Sequence, residues 1–428
     1  MPPPASAPSQ AAPSYLRTFL KVLTGSAVAQ AIPVLVMLVL ARQVSVEAMG
    51  IYGIWLATTW IALVPASAKM DILLVTLPGA HERRLAFRFG ACCAVGIGLL
   101  LSVVALLAGD LVSQRLPGWT PAASALLGLG TWALAMQTLW LARAVSSGAF
   151  GIVNRIRITS AGLTALLQVL LAWRWPGPEA LMTGYVIGTS CASWAALSGL
   201  RNPAPTTPAP GEADSYRSLL RLHGSTPALA LPAALLNTVA QQIPQLLTGM
   251  RFGAEPAGLL SVAWRTVQAP MTVISNSAID VFKNKAADEF NRTGQCRTAY
   301  RQTLRLLAIL GVVPSTILLL WGPALFALVF GEKFRGAGEI AQIFAPLLFI
   351  RFFASPLGYT LMIARKANID LYWQMGLLAM SLSAFIVPPD AMTAFKIFSG
   401  GYAALYVIYL ILQWRAAGGD RRTPAGRA

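Results

Sequence analysis

Residues 89–109 read FGACCAVGIGLLLSVVALLAG, an apolar stretch of 21 residues that contains no charged side chain. At a rise of ~1.5 Å per residue, a helix of this length matches the ~30 Å hydrocarbon core of a bilayer. Arg83, Arg84 and Arg88 precede the stretch, and the next basic residue after it is Arg115. Because every backbone polar group must be hydrogen bonded inside hydrocarbon, this stretch predicts a transmembrane helix.

Eleven further apolar stretches resemble this one, so the sequence predicts an all-α membrane protein with about twelve spans. The composition agrees, because 56% of the residues are hydrophobic and 11% are charged, whereas soluble domains carry about 25% charged residues. The predicted spans are residues 23–41, 48–70, 89–109, 121–142, 158–173, 179–199, 226–250, 257–281, 306–330, 338–363, 370–387 and 391–413.

The basic residues between the spans predict the orientation. With the N-terminus in the cytoplasm, 23 of the 33 basic residues fall in cytoplasmic segments, 7 in outer loops and 3 within spans. The positive-inside rule therefore places both termini in the cytoplasm. Basic loops that face an anionic inner leaflet explain the net charge of +17, so membrane lipids are predicted partners and nucleic acid is not.

A long polar connection divides the chain into two halves of six spans each. Its first part is rich in proline, and residues 216–222 alternate apolar and basic side chains as an interfacial helix does. The predicted organisation is a disordered cytoplasmic N-terminus (1–15), a first six-helix bundle (16–200), a cytoplasmic linker with the interfacial helix (201–225), a second six-helix bundle (226–415) and a cytoplasmic tail (416–428).

The two halves show a faint repeat. QAIP at 30–33 matches QQIP at 241–244, and GIY at 50–52 matches GLL at 258–260, at offsets of 211 and 208 residues. An even number of spans in each half makes such repeats parallel, related by an axis along the membrane normal, and transporters of this kind bind substrate between the halves. Chance likeness between glycine-rich apolar helices is the alternative explanation.

Catalytic and cofactor motifs are missing from the sequence. It has no G-x-x-x-x-G-K-[ST] phosphate loop, no H-E-x-x-H zinc motif and no G-x-S-x-G nucleophile elbow. We therefore predict that the protein is not an enzyme, and we predict no metal site and no cofactor. Transport by conformational change is the favoured activity.

Charged residues inside the predicted spans are the main candidates for function. Arg351 lies near the middle of span ten, and Arg265 lies about eight residues into span eight. An arginine at the centre of a bilayer costs ~2.5–3.5 kcal/mol on insertion scales, so its side chain is expected to face the bundle interior or water. Both are predicted to bind an anionic group, such as a phosphate, in a central cavity. A structural ion pair for Arg351, and snorkelling to the interface for Arg265, remain the alternatives.

Other polar residues in the spans complete the set of candidates. The uncharged ones suit hydrogen bonds to sugar hydroxyls or to neighbouring helices, and they are Gln30, Asn237, Gln241 and Gln242. Asp71 and Asp280 end spans two and eight, where they are candidates for ion coupling, and Lys69 is a candidate charge partner.

Several short stretches, in order along most of the chain, resemble one known family. They are GIY at 50–52, KMDILLVTLP at 69–78, LP at 231–232 with Asn237, FG at 252–253 with AG at 257–258, GPALF at 322–326 with VFGE at 329–332, and SPL at 355–357. Together they resemble the O-antigen and exopolysaccharide flippases of the multidrug/oligosaccharidyl-lipid/polysaccharide exporter superfamily. That family usually carries Tyr-Glu where this chain has Met70 and Asp71.

The resemblance implies two six-helix bundles, related by pseudo-twofold symmetry, that form a V-shaped alternating-access transporter. The implied substrate is a polyprenyl-pyrophosphate-linked oligosaccharide, moved across a bacterial inner membrane for O-antigen, capsule or exopolysaccharide assembly. A polysaccharide polymerase and a chain-length regulator are the implied protein partners. The alternatives are a drug/cation antiporter of the same superfamily and a membrane-embedded polysaccharide polymerase.

Overall fold

The computed structural model describes residues 32–197, 215–364 and 366–418, and throughout these ranges the secondary structure is helical, with no strand. The helices are α1 (Ile32–Gln43), α2 (Val46–Ser67), α3 (Met70–Thr76), α4 (Ala80–Leu107), α5 (Gly109–Arg115), α6 (Pro121–Ser146), α7 (Phe150–Arg174), α8 (Pro178–Leu197), α9 (Tyr216–His223), α10 (Ser225–Phe252), α11 (Ala254–Thr293), α12 (Arg297–Phe330), α13 (Arg335–Leu357), α14 (Tyr359–Ile363), α15 (Ala367–Ile386) and α16 (Ala391–Ala417). A 3₁₀ turn at Glu332–Phe334 joins α12 to α13.

The predicted all-helical membrane fold is confirmed. Among the described residues, eight helical segments are long and apolar enough to cross a membrane. The helices α8, α10 and α11, of 20, 28 and 40 residues, cover three further predicted spans. The mean hydropathy of α10 and α11 is lower because both carry polar residues that line a central cavity.

Local sequence explains where several helices begin and end. Thr120 accepts a hydrogen bond from the backbone N–H of Ala123 and precedes a proline at the first position of α6. Ser45 and Asp390 cap α2 and α16 in the same way. Between α10 and α11, Gly253 adopts a φ of 94°, a conformation that other residues rarely reach.

The helices differ from the predicted spans mainly at the predicted cytoplasmic ends. The helix α4 begins at Ala80 rather than at residue 89, and α11 continues to Thr293 rather than ending at residue 281. The added turns carry charged side chains, which a helix tolerates once it has left the membrane, so hydropathy does not mark these ends. The short helices α3, α5 and α14 were not predicted.

The described helices form two lobes, the first made of α1 to α8 and the second of α10 to α16. The packing of the helices repeats between these two lobes. In the first lobe, α6 packs on α2, α4 and α8, and α7 pairs with α8. In the second, α13 packs on α11, α12 and α16, and α15 pairs with α16. The same partners therefore recur in the same chain order, as a parallel duplication predicts.

The exact bounds of the five predicted regions remain predictions, and residues 1–31, 198–214 and 419–428 lie outside the described ranges.

The two lobes touch where α2 crosses α11, at the glycines that the repeat pairs with each other. A Cβ atom on Gly50 would lie 1.8 Å from the carbonyl oxygen of Ala254, and one on Gly258 would lie 1.9 Å from that of Val46. Only glycine therefore allows the two backbones to approach this closely. This crossing lies at the predicted outer ends of both helices.

The helix α9 packs on the first lobe. Leu219 is fully buried in a cluster that includes Met70, Leu73 and Leu139. His223 Nε2 lies 3.2 Å from Oε1 of the buried Glu82. These contacts attach the end of the inter-lobe connection to the first lobe.

Candidate functional site

A cavity of about 1140 Å³ lies between the lobes. The first lobe contributes the face of α2 that carries Gly53, Leu56, Ala57 and Trp60. The second lobe contributes residues from α10, α11, α13, α14, α15 and α16, and these include all the charged groups among the described lining residues. The cavity continues along α2 and α11 from the glycine crossing toward the predicted cytoplasmic side.

Arg351, on α13, lines this cavity, as predicted. Its guanidinium carbon lies 5.5 Å from the ring centre of Trp264, a cation–π contact. With its amide oxygen facing the two donors, Gln268 accepts hydrogen bonds from Arg351 Nη1 at 3.2 Å and from Trp264 Nε1 at 2.8 Å. Both partners are uncharged, so they orient Arg351 without neutralising its positive charge.

Arg265, on α11, also lines the cavity and reaches the opposite lobe. Its guanidinium carbon lies 5.1 Å from the ring centre of Tyr52 on α2. The Tyr52 hydroxyl accepts a hydrogen bond of 2.9 Å from Gln168 Nε2, which also donates to the carbonyl of Leu181. Tyr52 and Gln168 are both buried, so the ring that supports Arg265 is held in place.

Neither cavity arginine forms an ion pair with a described acidic residue, since no such carboxylate oxygen lies within 4.0 Å of either guanidinium group. Among the described lining residues, Asp370 is the one acid. Its oxygens accept hydrogen bonds from the Tyr409 hydroxyl at 2.5 Å and from Gln374 Nε2 at 2.7 Å. Two arginines against one aspartate give the lining an excess of positive charge.

The predicted polar residues of span seven also lie in this cavity. Asn237, Gln241 and Gln242 all line it, and Gln241 Nε2 donates to Asn237 Oδ1 at 2.8 Å. Their predicted counterpart in span one, Gln30, lies outside the described residues. The structure therefore brings together five of the six residues that we predicted to bind substrate.

Of the two candidates for ion coupling, Asp71 does not join this group. Asp71 lies on α3, away from the cavity lining, and its Oδ1 is buried without a hydrogen-bond partner among the described residues. Lys69 forms no ion pair with Asp71; it precedes α3 in a left-handed conformation, with a φ of 54°. Asp280 belongs to α11, and its side chain lies outside the described part of the structure.

Among the lining residues that were not predicted from the sequence are Asp370, Gln268 and Trp373. Asp370 is the first residue of a predicted span. An acidic residue at the end of a helix is ordinary and does not by itself indicate a functional site. The position of Asp370 within one turn of Trp373 and Gln374 was the available signal, because those residues lie on the same helix face at i+3 and i+4.

A second contact between the lobes lies near the glycine crossing. Lys333, in the turn between α12 and α13, donates a hydrogen bond of 2.8 Å to the carbonyl of Val44, one residue beyond α1. Lys333 therefore places a positive charge at the C-terminal end of a helix in the opposite lobe, where the helix dipole favours a cation.

The fold is therefore two lobes of helices with a polar cavity between them. Comparison with solved structures agrees. The fold is similar to that of the lipid II flippase MurJ in an inward closed conformation, with a TM-score of 0.72 and 10% identity over 92% of this chain and 87% of that one. It is also similar to an inward-facing multidrug resistance MATE family transporter of the MOP superfamily, with a TM-score of 0.67 and 12% identity over 91% of this chain and 93% of that one.

Residues 39–338 match the family described as polysaccharide biosynthesis protein, and the chain belongs to that family. A relative in this class is the teichuronic acid biosynthesis protein TuaB of Bacillus subtilis (strain 168), which is 27% identical over 199 residues. That match spans 44% of this chain and 39% of the relative. The resemblance drawn from the short motifs is thereby confirmed, and the long apolar helices make the chain a multi-pass membrane protein of a polysaccharide biosynthesis family.

Proposed function

We propose that the protein is a flippase that moves a polyprenyl-pyrophosphate-linked oligosaccharide across a bacterial inner membrane. The product would serve O-antigen, capsule or exopolysaccharide assembly. One observation carries the proposal: Arg265 and Arg351 share a cavity at membrane depth without an ion-pair partner among the described acids. Arginine binds phosphate oxygens through paired N–H donors, so a pyrophosphate suits such a pair of cations.

The size of the cavity supports a substrate larger than a typical metabolite. Pockets for drug-sized ligands have volumes of about 300–1,000 Å³, and this cavity measures about 1140 Å³. Its lining combines amide side chains on α10 with tyrosine and tryptophan side chains on α15 and α16. Such a mixture offers hydrogen bonds and apolar faces to a sugar.

The cavity also carries exposed apolar side chains. Trp60, Leu236, Met362 and Met375 line it and yet have exposed fractions of 41%, 53%, 65% and 57%. They come from both lobes, so apolar side chains border the cavity on either side. A lipid chain could therefore stay in the bilayer while its head group occupies the cavity.

The remaining assignments follow from the sequence. Both termini would be cytoplasmic, and Asp71 and Asp280 are the candidates for coupling to an ion gradient. Lys69 stays a candidate charge partner. A polysaccharide polymerase and a chain-length regulator would be partners at the membrane.

The two rival functions predict different lining chemistry. A drug/cation antiporter needs a negatively charged site for its cationic substrate, whereas here the arginines outnumber the acid. A polymerase needs groups that could catalyse glycosyl transfer, and Asp370 is the one carboxylate among the described lining residues. The flippase proposal accounts for the arginines, the amide side chains and the aromatic side chains of the lining together.

The proposal is tested in a deletion strain that depends on this gene for its surface polysaccharide. Arg351→Ala should abolish export, whereas Arg351→Lys should keep part of it, because lysine retains the charge but not the paired donors. Arg115→Ala, a change of charge in a predicted outer loop, serves as the matched control. Full export by Arg351→Ala at normal protein levels would refute the proposal.

A further inference from the structure

The lining acid Asp370 belongs to a compact polar and aromatic group on α15 and α16. Asp370 and Gln374 are one turn apart on α15, and their side chains are hydrogen bonded at 2.7 Å. Tyr409 of α16 donates to the other carboxylate oxygen at 2.5 Å. All three residues, together with Trp373, line the cavity.

Trp373 is rigidly placed beside this carboxylate. Its ring stacks on Tyr409 with centres 3.9 Å apart and planes 14° apart, and its Nε1 donates to the carbonyl of Leu405 at 3.2 Å. Tyr406 packs against it edge to face at 5.0 Å. The indole therefore offers a fixed apolar surface next to hydrogen-bond acceptors.

The carboxylate still has acceptor capacity. Each oxygen of an ionised carboxylate can accept about two hydrogen bonds, and each oxygen of Asp370 accepts one from the protein. Asp370 forms no ion pair with a described basic residue. Acidic residues that face the interior of a helical bundle or a cavity in a membrane protein usually mark a ligand path, and Asp370 lines this cavity.

Resting on the proposed function, we infer that Asp370, Gln374 and Trp373 form a sugar subsite. The free acceptor positions of Asp370 and the carbonyl oxygen of Gln374 bind sugar hydroxyl groups. Trp373 covers an apolar face of the same ring. The subsite selects a hydroxyl-rich sugar and disfavours an acidic one whose carboxylate would face Asp370.

The location of the subsite fits the chemistry of the substrate. Tyr406 lies within electrostatic reach of both Arg351 and Asp370, so the acid and the proposed phosphate-binding cation both lie near one side chain. In a polyprenyl-pyrophosphate glycan, the first sugar is bonded directly to the pyrophosphate. We therefore assign this subsite to that first sugar.

The test compares lipids that differ only in the sugar. Purified full-length protein in lipid nanodiscs is titrated with farnesyl pyrophosphate, and with farnesyl pyrophosphates that bear one hexose, one N-acetylhexosamine or one uronic acid. In the wild type, at least one neutral sugar should tighten binding by about tenfold, as hydrogen bonds to a charged group do. Asp370→Asn should remove this gain, so that in this variant the sugar-bearing lipids bind no more tightly than bare farnesyl pyrophosphate does.

Further variants separate the outcomes. Gln374→Ala and Trp373→Phe should reduce the gain in part, and Asp288→Asn, the same change at an exposed cytoplasmic site, should not affect it. If bare farnesyl pyrophosphate binds through Arg351 but no sugar tightens binding, the subsite is wrong and the flippase proposal stands. A gain that persists in Asp370→Asn, or an Asp370 effect that appears only as a dependence on Na⁺ or pH, would also overturn the subsite. If bare farnesyl pyrophosphate does not bind, the proposed function fails first.

Discussion

The cavity faces of α2 and α11 occupy equivalent places in the two halves but carry different chemistry. At the repeat offset of 208 residues, every α2 residue that lines the cavity has its partner in the lining on α11. The four pairs are Gly53 with Ser261, Leu56 with Trp264, Ala57 with Arg265 and Trp60 with Gln268. The two copies thus share the geometry of the face, while only the second copy carries the arginine that we propose to bind an anion.

The first test changes the geometry that α2 and α11 share, and it has the largest expected effect. Gly50→Ala and Gly258→Ala would each drive a Cβ atom into the backbone of the other lobe, at 1.8 Å and 1.9 Å. The free energy of unfolding of each variant should fall by about 3 kcal/mol or more. The two losses should be alike because the positions are equivalent. Thermal unfolding in detergent measures both.

A glycine without neighbours provides the control for these variants. A Cβ atom added to Gly96 on α4 would have no neighbouring atom within 4 Å, so Gly96→Ala should leave the unfolding temperature unchanged or slightly raised. A marked loss in Gly50→Ala alone would mean that the two positions are not equivalent.

The second test acts on the chemistry that differs. Arg265→Ala should weaken the binding of farnesyl pyrophosphate by about tenfold to a hundredfold, the usual range for a hydrogen bond to a charged group. Adding Ala57→Arg should restore part of the affinity, because position 57 lines the same cavity at the equivalent place. Equal affinities for the single and the double variant would show that the lobe, and not the position, determines anion binding.

The third test acts on the support that the first lobe gives to Arg265. Tyr52→Phe keeps the ring below the guanidinium group but removes the acceptor of the buried Gln168 amide. Stability should fall by about 1 kcal/mol, the usual effect of leaving a buried donor without a partner, while export changes little. Tyr372→Phe, at a tyrosine that is 71% exposed, should be neutral in the same unfolding assay.

The smallest expected effect concerns the starts of the equivalent helices α4 and α12. Burial raises the pKa of the Glu289 carboxyl, but hydrogen bonds from the backbone N–H groups of Ala299 and Thr298 outweigh it, and the pKa lies below its usual value. The stabilisation is present above the ordinary glutamate pKa of about 4.3 and is lost as the pH falls through the lowered value. No side chain caps the first residue of α4 in this way.

Hydrogen exchange at a series of pH values checks this difference between the lobes. After correction for the intrinsic pH dependence of exchange, acidification should lower the protection of the first turn of α12 more than that of α4. Glu289→Gln should remove this pH dependence at α12. An equal loss of protection in both helices would contradict the prediction.

The sequence was most informative where a single physical cost dominates. Long apolar stretches predicted eleven spans that the structure describes as helices. The cost of a charge inside the membrane predicted that Arg265 and Arg351 line the cavity. The same cost did not identify Asp370, because an acid at the predicted start of a span is inexpensive. Nor did it show that Asp71 lies away from the cavity, because hydropathy says how deep a residue lies and not which way it faces.

The hydrogen bond from Lys333 to Val44 has a consequence for opening of the lobes at that end. The bond caps the last turn of α1 with a donor from the other lobe, so separation leaves this turn without its cap. Opening therefore includes fraying of α1 as well as loss of contact between lobes. Warming should favour this step, since the released backbone gains conformational entropy.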